Sequence, residues 1–305
     1  MIKLVAVVGP TASGKSALAM ELAEKFGGEI ISADSMQIYK GMDIGTAKPS
    51  KEDQSKIRHH MIDCVEVTDN YSVANYCDAA HRAIAKCVER GKVPIVAGGT
   101  GLYVENLLKN TDFSAVSGSG ELRAELIKSA AEHGGEAMYE YLMRLDMDAA
   151  KLLHPNDTKR VIRALECYLV SGKTRRVRDE ESKGRQIYKS LKLTLDIERE
   201  VLYNRINARV EEMFDRGLVE EVKSVLLPVR DRCTTSLAGI GYKEVLDYID
   251  GRMSLEDTKE KIKLGTRRYA KRQETWFRHD RDIKRVQNAQ AFEIAETFIY
   301  KGEVK

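Results

Sequence analysis

The chain has 305 residues, of which 43% are hydrophobic and 32% charged, with only 5 prolines. This composition excludes a disordered, collagen-like or low-complexity protein, and the length suffices for one large domain or two. The early apolar run 4–8 is too short to span a membrane and lies too close to Met1 for a signal peptide, so we expect a cytoplasmic protein with no membrane partner.

Charge is unevenly distributed, although the net charge is only +3. Residues 258–285 carry eleven Lys or Arg against four Asp or Glu, which leaves the rest of the chain net negative. A basic stretch of this kind favours an anionic partner. The five cysteines lie far apart and form no Cys-x-x-Cys pair, so we expect reduced, mostly packed thiols rather than disulfides or a zinc site.

The first third of the chain alternates short apolar runs with helical patterns. The predicted elements are a strand, a glycine loop and a helix at residues 3–8, 9–14 and 15–26, then a strand at 29–33, a helix at 72–90 and a strand at 93–97. Strands that alternate with helices predict a parallel sheet covered on both faces.

The pattern changes after about residue 113. Ser117-Gly118-Ser119-Gly120 is linker-like, and only helical patterns follow, at residues 121–133, 136–145, 147–154 and 157–171. In the last of these, Asn156-Asp157 is a candidate N-cap, Gly172 ends the helix, and the buried side is predicted to contain Val161, Ile162, Leu165 and Leu169.

The end of the chain returns to the sheet. A strand is predicted at residues 190–197, helices at 199–216, 242–249 and 255–277, and an edge strand near 282–286. We therefore predict an α/β fold: a P-loop NTPase-like parallel sheet flanked by helices, with an all-helical insertion domain. The predicted boundaries are 1–115 for the first part of the core, 116–190 for the insertion and 191–305 for the second part of the core with basic C-terminal helices.

One motif indicates chemistry. The run Gly9-Pro10-Thr11-Ala12-Ser13-Gly14-Lys15-Ser16 fits G-x-x-x-x-G-K-[ST] between a predicted strand and a predicted helix. Backbone N–H groups of such a loop bind phosphate oxygens, Lys15 adds positive charge, and the Ser16 hydroxyl can ligate Mg²⁺. The alternative, a glycine turn without a ligand, gives no packing reason for Lys15 and Ser16 to follow Gly14.

The loop alone leaves three functions open: an ATPase or small-molecule kinase, a transferase with pyrophosphate as leaving group, and a nucleic-acid-binding protein with a vestigial loop. An ATPase usually needs an acidic residue after an apolar strand. The strand at 93–97 is followed by Gly98-Gly99-Thr100 instead, and Asp34 is the only well-placed carboxylate. A lone loop aspartate is more often a turn or helix cap than a catalytic group, so both roles stay open for Asp34.

Six blocks, in the same order, resemble the bacterial tRNA dimethylallyltransferases, also called tRNA isopentenyltransferases. They are residues 9–16, 32–39, 42–49, 98–103, 154–157 and 241–244, within a resemblance that runs from about residue 4 to residue 280. The resemblance implies transfer of a dimethylallyl group from dimethylallyl pyrophosphate to N6 of the adenine just 3′ of the anticodon, in tRNAs that read codons beginning with U.

The resemblance also implies roles for single residues. Asp34 would be the general base, Thr11 would bind the donor, and Arg209, in Arg205-Ile206-Asn207-Ala208-Arg209, would stabilise the leaving pyrophosphate unless it is only a helix surface charge. A Mg²⁺ ion held by Ser16 is the one expected cofactor. The expected pyrophosphate-binding residues are Gly9, Thr11, Ala12, Ser13, Gly14, Lys15 and Ser16.

The adenine has to leave its stack to reach Asp34. The tRNA contacts that the resemblance implies are Asp34, Ser35, Met36, Gln37, Thr100, Arg123, Lys159, Arg160, Val161, Ile162 and Arg163. Basic residues interleaved with Tyr269, Trp276 and Phe277 also fit RNA, or else a solvated helix with an apolar core stripe.

Other positions have no derived role. Asp43 and Lys48 match the family, and His59, His60 and Asp63 look like a metal triad, but adjacent histidines point in different directions on a regular element, so we expect them to be structural. The linker-like tract ending at Gly120 replaces the family's acidic, proline-containing turn before Arg123, and Ala238 or Gly239 replaces a common polar residue. We expect the protein to act as a monomer.

Overall fold

The computed structural model describes residues 1–113, 120–184 and 186–301. Its strands are β1 (Ile2–Val8), β2 (Gly28–Ser32), β3 (His59–His60), β4 (Val93–Gly98), β5 (Tyr188–Leu195) and β6 (Ile283–Val286). Its α-helices are α1 (Lys15–Phe26), α2 (Lys51–Lys56), α3 (Val73–Glu89), α4 (Gly101–Lys109), α5 (Gly120–Leu145), α6 (Met147–Ala150), α7 (Thr158–Ser171), α8 (Arg175–Glu181), α9 (Arg199–Asp215), α10 (Leu218–Val225), α11 (Tyr242–Ile249), α12 (Leu255–Arg278) and α13 (Asn288–Glu296).

The described strands form one sheet in the order β3-β2-β4-β1-β5-β6, and every pair is parallel. Val5 in the central strand β1 pairs with Ile95 on one side and Leu191 on the other. Residues 4–8 are almost completely buried because helices cover both faces of the sheet. The predicted α/β class with a helix-flanked parallel sheet is confirmed. All strands end at the same edge, where loops of such sheets form sites.

The chain divides into two compact units. The first, called the sheet unit, comprises Met1–Leu108 and Ile187–Lys305, and the second, called the helical unit, comprises Lys109–Gln186. The predicted boundary between residues 190 and 191 would cut β5, whose ladder with β1 begins at Tyr188. The predicted boundary at 115 and 116, and Ser117 to Ser119 of the linker-like tract, lie outside the described residues.

Several hydrophobic clusters pack the sheet unit, and two of them are large. One joins α1 and α13 to the sheet through residues such as Leu18, Leu22 and Ala295. The other joins α9, α10 and α11 to the segment after β2 and includes Tyr39 and Tyr242. The five cysteines are free thiols, three of them buried. None of the helices in the described ranges is long and apolar enough to cross a membrane.

The helical unit has its own core, which includes Leu126, Leu142 and Leu165. Its long helix α5 is interrupted at Gly134, where φ is 87° and ψ is 161°, close to the break expected between residues 133 and 136. Asp157 caps α7 by accepting from the Arg160 N–H at 3.3 Å. One core prediction in α7 is wrong: Leu169 is 37% exposed, since the last turn of the helix extends beyond the packed cluster.

The short elements α2, α4, α8, α10, α13 and β3 were not predicted. Each has two to nine residues, and elements this short give only a weak periodic signal.

A buried carboxylate joins β2, β3 and α3. Glu29 accepts from the Arg90 guanidinium at 3.0 and 2.6 Å and lies 2.7 Å from the His60 ring nitrogen Nε2. The hydrogen bonds from Arg90 lower the pKa of Glu29 to about 2, and the His60 contact acts in the same direction. The charged form of Glu29 therefore stabilises the fold.

This cluster predicts how stability depends on pH. Because the folded-state pKa of Glu29 is depressed, its contribution is complete above the ordinary value of 4.5 and is lost as the pH falls toward 2. We expect Glu29→Gln to lower the free energy of unfolding by about 2–3 kcal/mol at pH 7, and by clearly less at pH 3, in urea titrations. An equal loss at both pH values would contradict this assignment.

Candidate active site

The segment Gly9–Ser16 leaves the carboxyl end of β1 and enters the first turn of α1. Gly14 precedes the helix with φ at 93°, a conformation that side chains disfavour. Ala12 lies at φ 62°, which is uncommon for a residue with a Cβ and costs conformational energy. Such strain is often kept at a functional turn.

Several polar groups of this loop have no partner in the described ranges. The N–H groups of Gly14, Lys15 and Ser16 donate to no acceptor there. The hydroxyl of Ser13 is buried and also without a hydrogen bond. Free N–H groups at a helix N-terminus attract anions, and buried polar atoms without partners are rare in folded proteins. The loop therefore has the properties of an anion site.

Two distant helices hold the loop through Thr11. Arg209 in α9 donates from Nη1 to the Thr11 hydroxyl at 3.2 Å. Gln273 in α12 accepts from the Thr11 N–H at 2.9 Å and donates to the carbonyl of Gly99, just after β4, at 2.9 Å. Gln273 is 6% exposed. It thus ties the loop to the neighbouring strand end.

Gln273 is a site residue that sequence reasoning missed. The only signal was a glutamine inside a strongly basic helix, and a single sequence does not show that this side chain is buried. A Cβ at Gly99 would lie 2.1 Å from Gln273 Nε2, so a larger residue there would displace the Gln273 amide.

Lys15 and Arg209 place two cations beside one carboxylate. Lys15 Nζ donates to the Pro10 carbonyl at 3.1 Å. Burial lowers the pKa of Lys15 to about 8; nearby Asp34 opposes this shift, and Arg209 adds to it. Burial also lowers the pKa of Arg209, again opposed by Asp34. The site therefore has excess positive charge that is poorly hydrated.

Asp34 lies just beyond β2 and has two distinct oxygens. Oδ1 accepts from the N–H groups of Met36 and Gln37 at 2.8 and 3.3 Å, an Asx-type turn. Oδ2 makes no hydrogen bond with any residue that the structure describes. The two roles left open by the sequence are therefore compatible: one oxygen shapes the turn, and the other remains for a ligand.

Thr100 and Ser35 brace this turn. The Thr100 hydroxyl accepts from the Ser35 N–H at 3.0 Å and donates to the Ser35 hydroxyl at 3.4 Å. Tyr269 of α12 lies alongside, and burial, followed by the charge of Asp34, raises its pKa to about 12. Its phenol thus stays protonated at neutral pH.

The side chain of Gln37 makes its hydrogen bonds within the protein. Its amide donates to the carbonyls of Thr46 and Ala47 at 3.3 Å each and accepts from the Ser32 hydroxyl at 2.9 Å. This side chain therefore holds the 41–49 segment.

These residues border one cavity of about 270 Å³, called the central cavity, which lies within the sheet unit. Its polar wall includes Thr11, Lys15, Asp34 and Arg209. Its apolar wall includes Ile206, Val210, Met213 and Ile262. Such a cavity fits a ligand with an anionic end and a hydrocarbon end.

Comparisons with known proteins agree with this geometry. Residues 37–280 match the sequence model of the family described as IPP transferase. The chain belongs to the IPP transferase family. Its relatives include the tRNA dimethylallyltransferases of Caldanaerobacter subterraneus subsp. tengcongensis, 48% identical over 91% of this chain and 89% of the relative, and of Acetivibrio thermocellus, 44% identical over 98% and 96%.

Solved structures of IPP transferase relatives extend the match. The full-length tRNA isopentenylpyrophosphate transferase of Bacillus halodurans is 38% identical with a TM-score of 0.72, over 99% of this chain and 96% of that one. A eukaryotic dimethylallyltransferase acting on tRNA is 31% identical with a TM-score of 0.87, over 100% of this chain and 81% of that one. Both alignments extend beyond the 37–280 family match.

In this IPP transferase the predicted RNA-contacting residues of the helical unit fall into three groups. Val161 and Ile162 are 0% and 6% exposed in the core, so their side chains cannot contact RNA, and the prediction is wrong for them. Arg163 donates to the buried Glu166 at 2.8 Å, and Arg123 lies 3.9 Å from the same carboxylate. The remaining residues, Lys159 and Arg160, are exposed.

The aromatic residues of the basic helix α12 differ in their exposure. Phe277 is buried, so it offers no stacking surface, which corrects the expectation for this residue. Trp276 is 44% exposed, and Arg272 lies 5.6 Å from the centre of the Tyr269 ring. One exposed aromatic side chain therefore accompanies the cations on this helix.

The positions without a derived role make contacts within the fold. Buried Lys48 donates to the Tyr39 carbonyl at 2.9 Å and to Asp43 and Asp63 at 2.5 Å each. His59 lies 2.7 Å from the Ile57 carbonyl. Asp43, Lys48 and Asp63 thus lock one turn of the chain.

The lowered pKa of Lys15 predicts a pH effect on anion binding. The affinity for inorganic pyrophosphate should fall roughly tenfold as the pH rises from 7 to 9.5, because Lys15 loses its proton near pH 8. Calorimetric titration of the protein and of the Lys15→Arg variant with pyrophosphate measures this change in affinity. Arginine keeps its charge over this pH range, so the variant shows how much of the change comes from ionisation of the ligand. An identical pH dependence in the variant would contradict the role of Lys15.

Proposed function

We propose that this protein transfers a dimethylallyl group from dimethylallyl pyrophosphate to the exocyclic N6 of an adenine in tRNA. We assign this to the adenine just 3′ of the anticodon, in accordance with the family resemblance. The observation that supports it best is the central cavity, where Lys15 and Arg209 lie beside the Asp34 carboxylate and an apolar wall. The names of the relatives, tRNA dimethylallyltransferase, supply the substrates.

The reaction breaks one bond and forms one. The C1–O bond of the donor breaks, and pyrophosphate leaves with the electron pair. The adenine N6 lone pair forms the new bond to C1, and N6 then gives up one proton. The protein therefore has to stabilise charge on the leaving group and accept a proton at the amine.

Asp34 is suited to accept this proton. An exocyclic adenine amine is a poor nucleophile, so a carboxylate at hydrogen-bonding distance helps in the transition state. The Oδ1 hydrogen bonds to Met36 and Gln37 fix the carboxyl plane, and Oδ2 is left for the amine. The adenine is expected to reach it by flipping out of its stack.

The leaving pyrophosphate is assigned to the Gly9–Ser16 segment. Gly14, Lys15 and Ser16 offer backbone N–H groups, and Lys15 and Arg209 offer positive charge. These cations lie in a partly dry site, where they stabilise growing negative charge more strongly than in water. Thr11 positions Arg209 through its hydroxyl.

Mg²⁺ fits this site as the expected cofactor. The Ser16 hydroxyl is exposed at the start of α1 and makes no hydrogen bond with a described residue. The described residues contain no group of three or more His, Cys, Asp or Glu that could hold a metal ion. An ion that keeps several waters and binds substrate phosphates needs no such cluster. When bound, Mg²⁺ would neutralise pyrophosphate charge.

The RNA surface is proposed on each unit separately. In the sheet unit it includes Ser35, Met36 and the exposed Arg268, Lys271 and Trp276 of α12. In the helical unit it includes Arg123, Lys159, Arg160 and Arg163. Phosphate contacts from such cations make binding salt-dependent. We also propose that the enzyme works as a monomer and that it is cytoplasmic, since its cysteines are free thiols.

One assay distinguishes the proposed transferase function from the ATPase or kinase alternative. The protein is incubated with unmodified tRNA and labelled dimethylallyl pyrophosphate, and the RNA nucleosides are examined by mass spectrometry. We expect N6-isopentenyladenosine beside the anticodon. ATP hydrolysis without label in the RNA would refute the transferase proposal, and tRNA binding with neither reaction would favour a binding protein.

Asp34→Asn tests the general base. Asparagine keeps an oxygen for the turn but accepts no proton, so turnover should fall about 10²–10⁴-fold with tRNA affinity nearly unchanged. Single-turnover rates and filter binding measure the two effects. An equal loss of rate and binding would mark Asp34 as a positioning residue only.

A further inference from the structure

The central cavity extends away from the Gly9–Ser16 segment along two helices. Its α12 lining residues run from Gln273 through Tyr269 to Ile262, and its α9 lining residues run from Ile206 to Met213. At one end Gln273 contacts Thr11 of the Gly9–Ser16 segment. At the other end Ile262 and Met213 belong to the hydrophobic cluster that includes Tyr39 and Tyr242. Eleven residues of helix correspond to about 16 Å, so the cavity has a distinct far end.

Tyr242 borders this far end. Its side chain is 0% exposed and lines the cavity together with Gly45 and Gly239. A Cβ at Gly45 would lie 2.6 Å from the Tyr242 ring, so the backbone of the 41–49 segment packs directly on the ring. The ring therefore has no room to move toward that segment.

Glu221 fixes both sides of this contact. Its carboxylate accepts from the N–H groups of Asp43, Ile44 and Gly45 at 2.9, 2.7 and 3.2 Å. The Tyr242 hydroxyl donates to the same carboxylate at 2.8 Å. One charged group thus holds the ring and the segment against each other, with charge-assisted hydrogen bonds that are stronger than neutral ones.

We infer that Tyr242, held by the positioning residue Glu221, is the end wall of the prenyl site and restricts the donor to a five-carbon chain. The inference rests on the proposed function, which places pyrophosphate in the Gly9–Ser16 segment. The hydrocarbon then runs between α9 and α12 toward the Tyr242 ring. A geranyl chain has five more carbons, and the ring and its braced backbone occupy the space that these carbons need.

The competing assignment gives the far end to the adenine. In that case Tyr242 contacts the base, and its replacement changes the KM for tRNA without changing the choice of donor. The chain length of the donor is therefore the measurement that separates the two assignments.

The experiment measures kcat/KM for dimethylallyl and geranyl pyrophosphate with one tRNA, in the unmodified protein, Tyr242→Ala, Tyr242→Leu and Glu221→Gln. We expect the geranyl-to-dimethylallyl ratio to rise at least tenfold in Tyr242→Ala and less in the other two variants. Tyr248→Leu, in the same helix but away from the cavity, is the matched control and should keep the original ratio.

An unchanged ratio in the folded Tyr242 variants, or a change only in the KM for tRNA, overturns the inference. Circular dichroism shows whether Tyr242→Ala is folded; if it is not, Tyr242→Leu and Glu221→Gln decide. The activity of the unmodified protein separates failure of the proposed function from failure of the end-wall inference. If it transfers no dimethylallyl group, the proposed function fails, whereas an active protein with unaltered ratios in the variants refutes only the end wall.

Discussion

Positive charge held away from water is the constraint on which the site depends. Lys15 and Arg209 are both half-buried, desolvation lowers the pKa of each, and Asp34 is the one carboxylate among the residues that line the central cavity. Buried charge without enough counter-charge is costly, so an anion at the Gly9–Ser16 segment would relieve the repulsion. The backbone N–H groups and the Ser13 hydroxyl point to the same conclusion, because each lacks a partner that an anion would supply.

The fold holds these groups in place through contacts between distant parts of the chain. The strand ends of a parallel sheet bring Asp34, Gly99 and the loop after β1 to one edge. Arg209 and Gln273 then reach Thr11 from α9 and α12, which are also the walls of the cavity. The same two helices therefore hold the polar end of the cavity and supply much of its apolar lining, so we expect binding of the donor's head and tail to be coupled.

Local features of the sequence predicted the local structure well. The bounds of α1 were predicted without error because a glycine precedes it and two glycines follow, around an apolar helical period. Asp34 was singled out because it is the acid that follows an apolar strand. What could not be predicted are contacts across a large separation along the chain, such as those of Gln273 with Thr11 and of Glu221 with Gly45. No local pattern in a single sequence shows which polar side chain meets which distant backbone group.

The errors in α7 have a related cause. A basic motif was read as a single RNA-contacting stretch, but Val161 and Ile162 fill the core, whereas Lys159 and Arg160 are exposed. Glu166 is buried there as well, where Arg163 and Arg123 provide its counter-charge. Part of the basic character of this helix is therefore structural.

The most direct measurement is a crystal structure with a donor analogue whose bridging oxygen is replaced by sulfur, so that the C1 bond stays intact. We expect the diphosphate on the Gly14, Lys15 and Ser16 N–H groups, with the five-carbon chain between α9 and α12. A diphosphate bound elsewhere, with the Gly9–Ser16 segment free of it, would contradict the central claim.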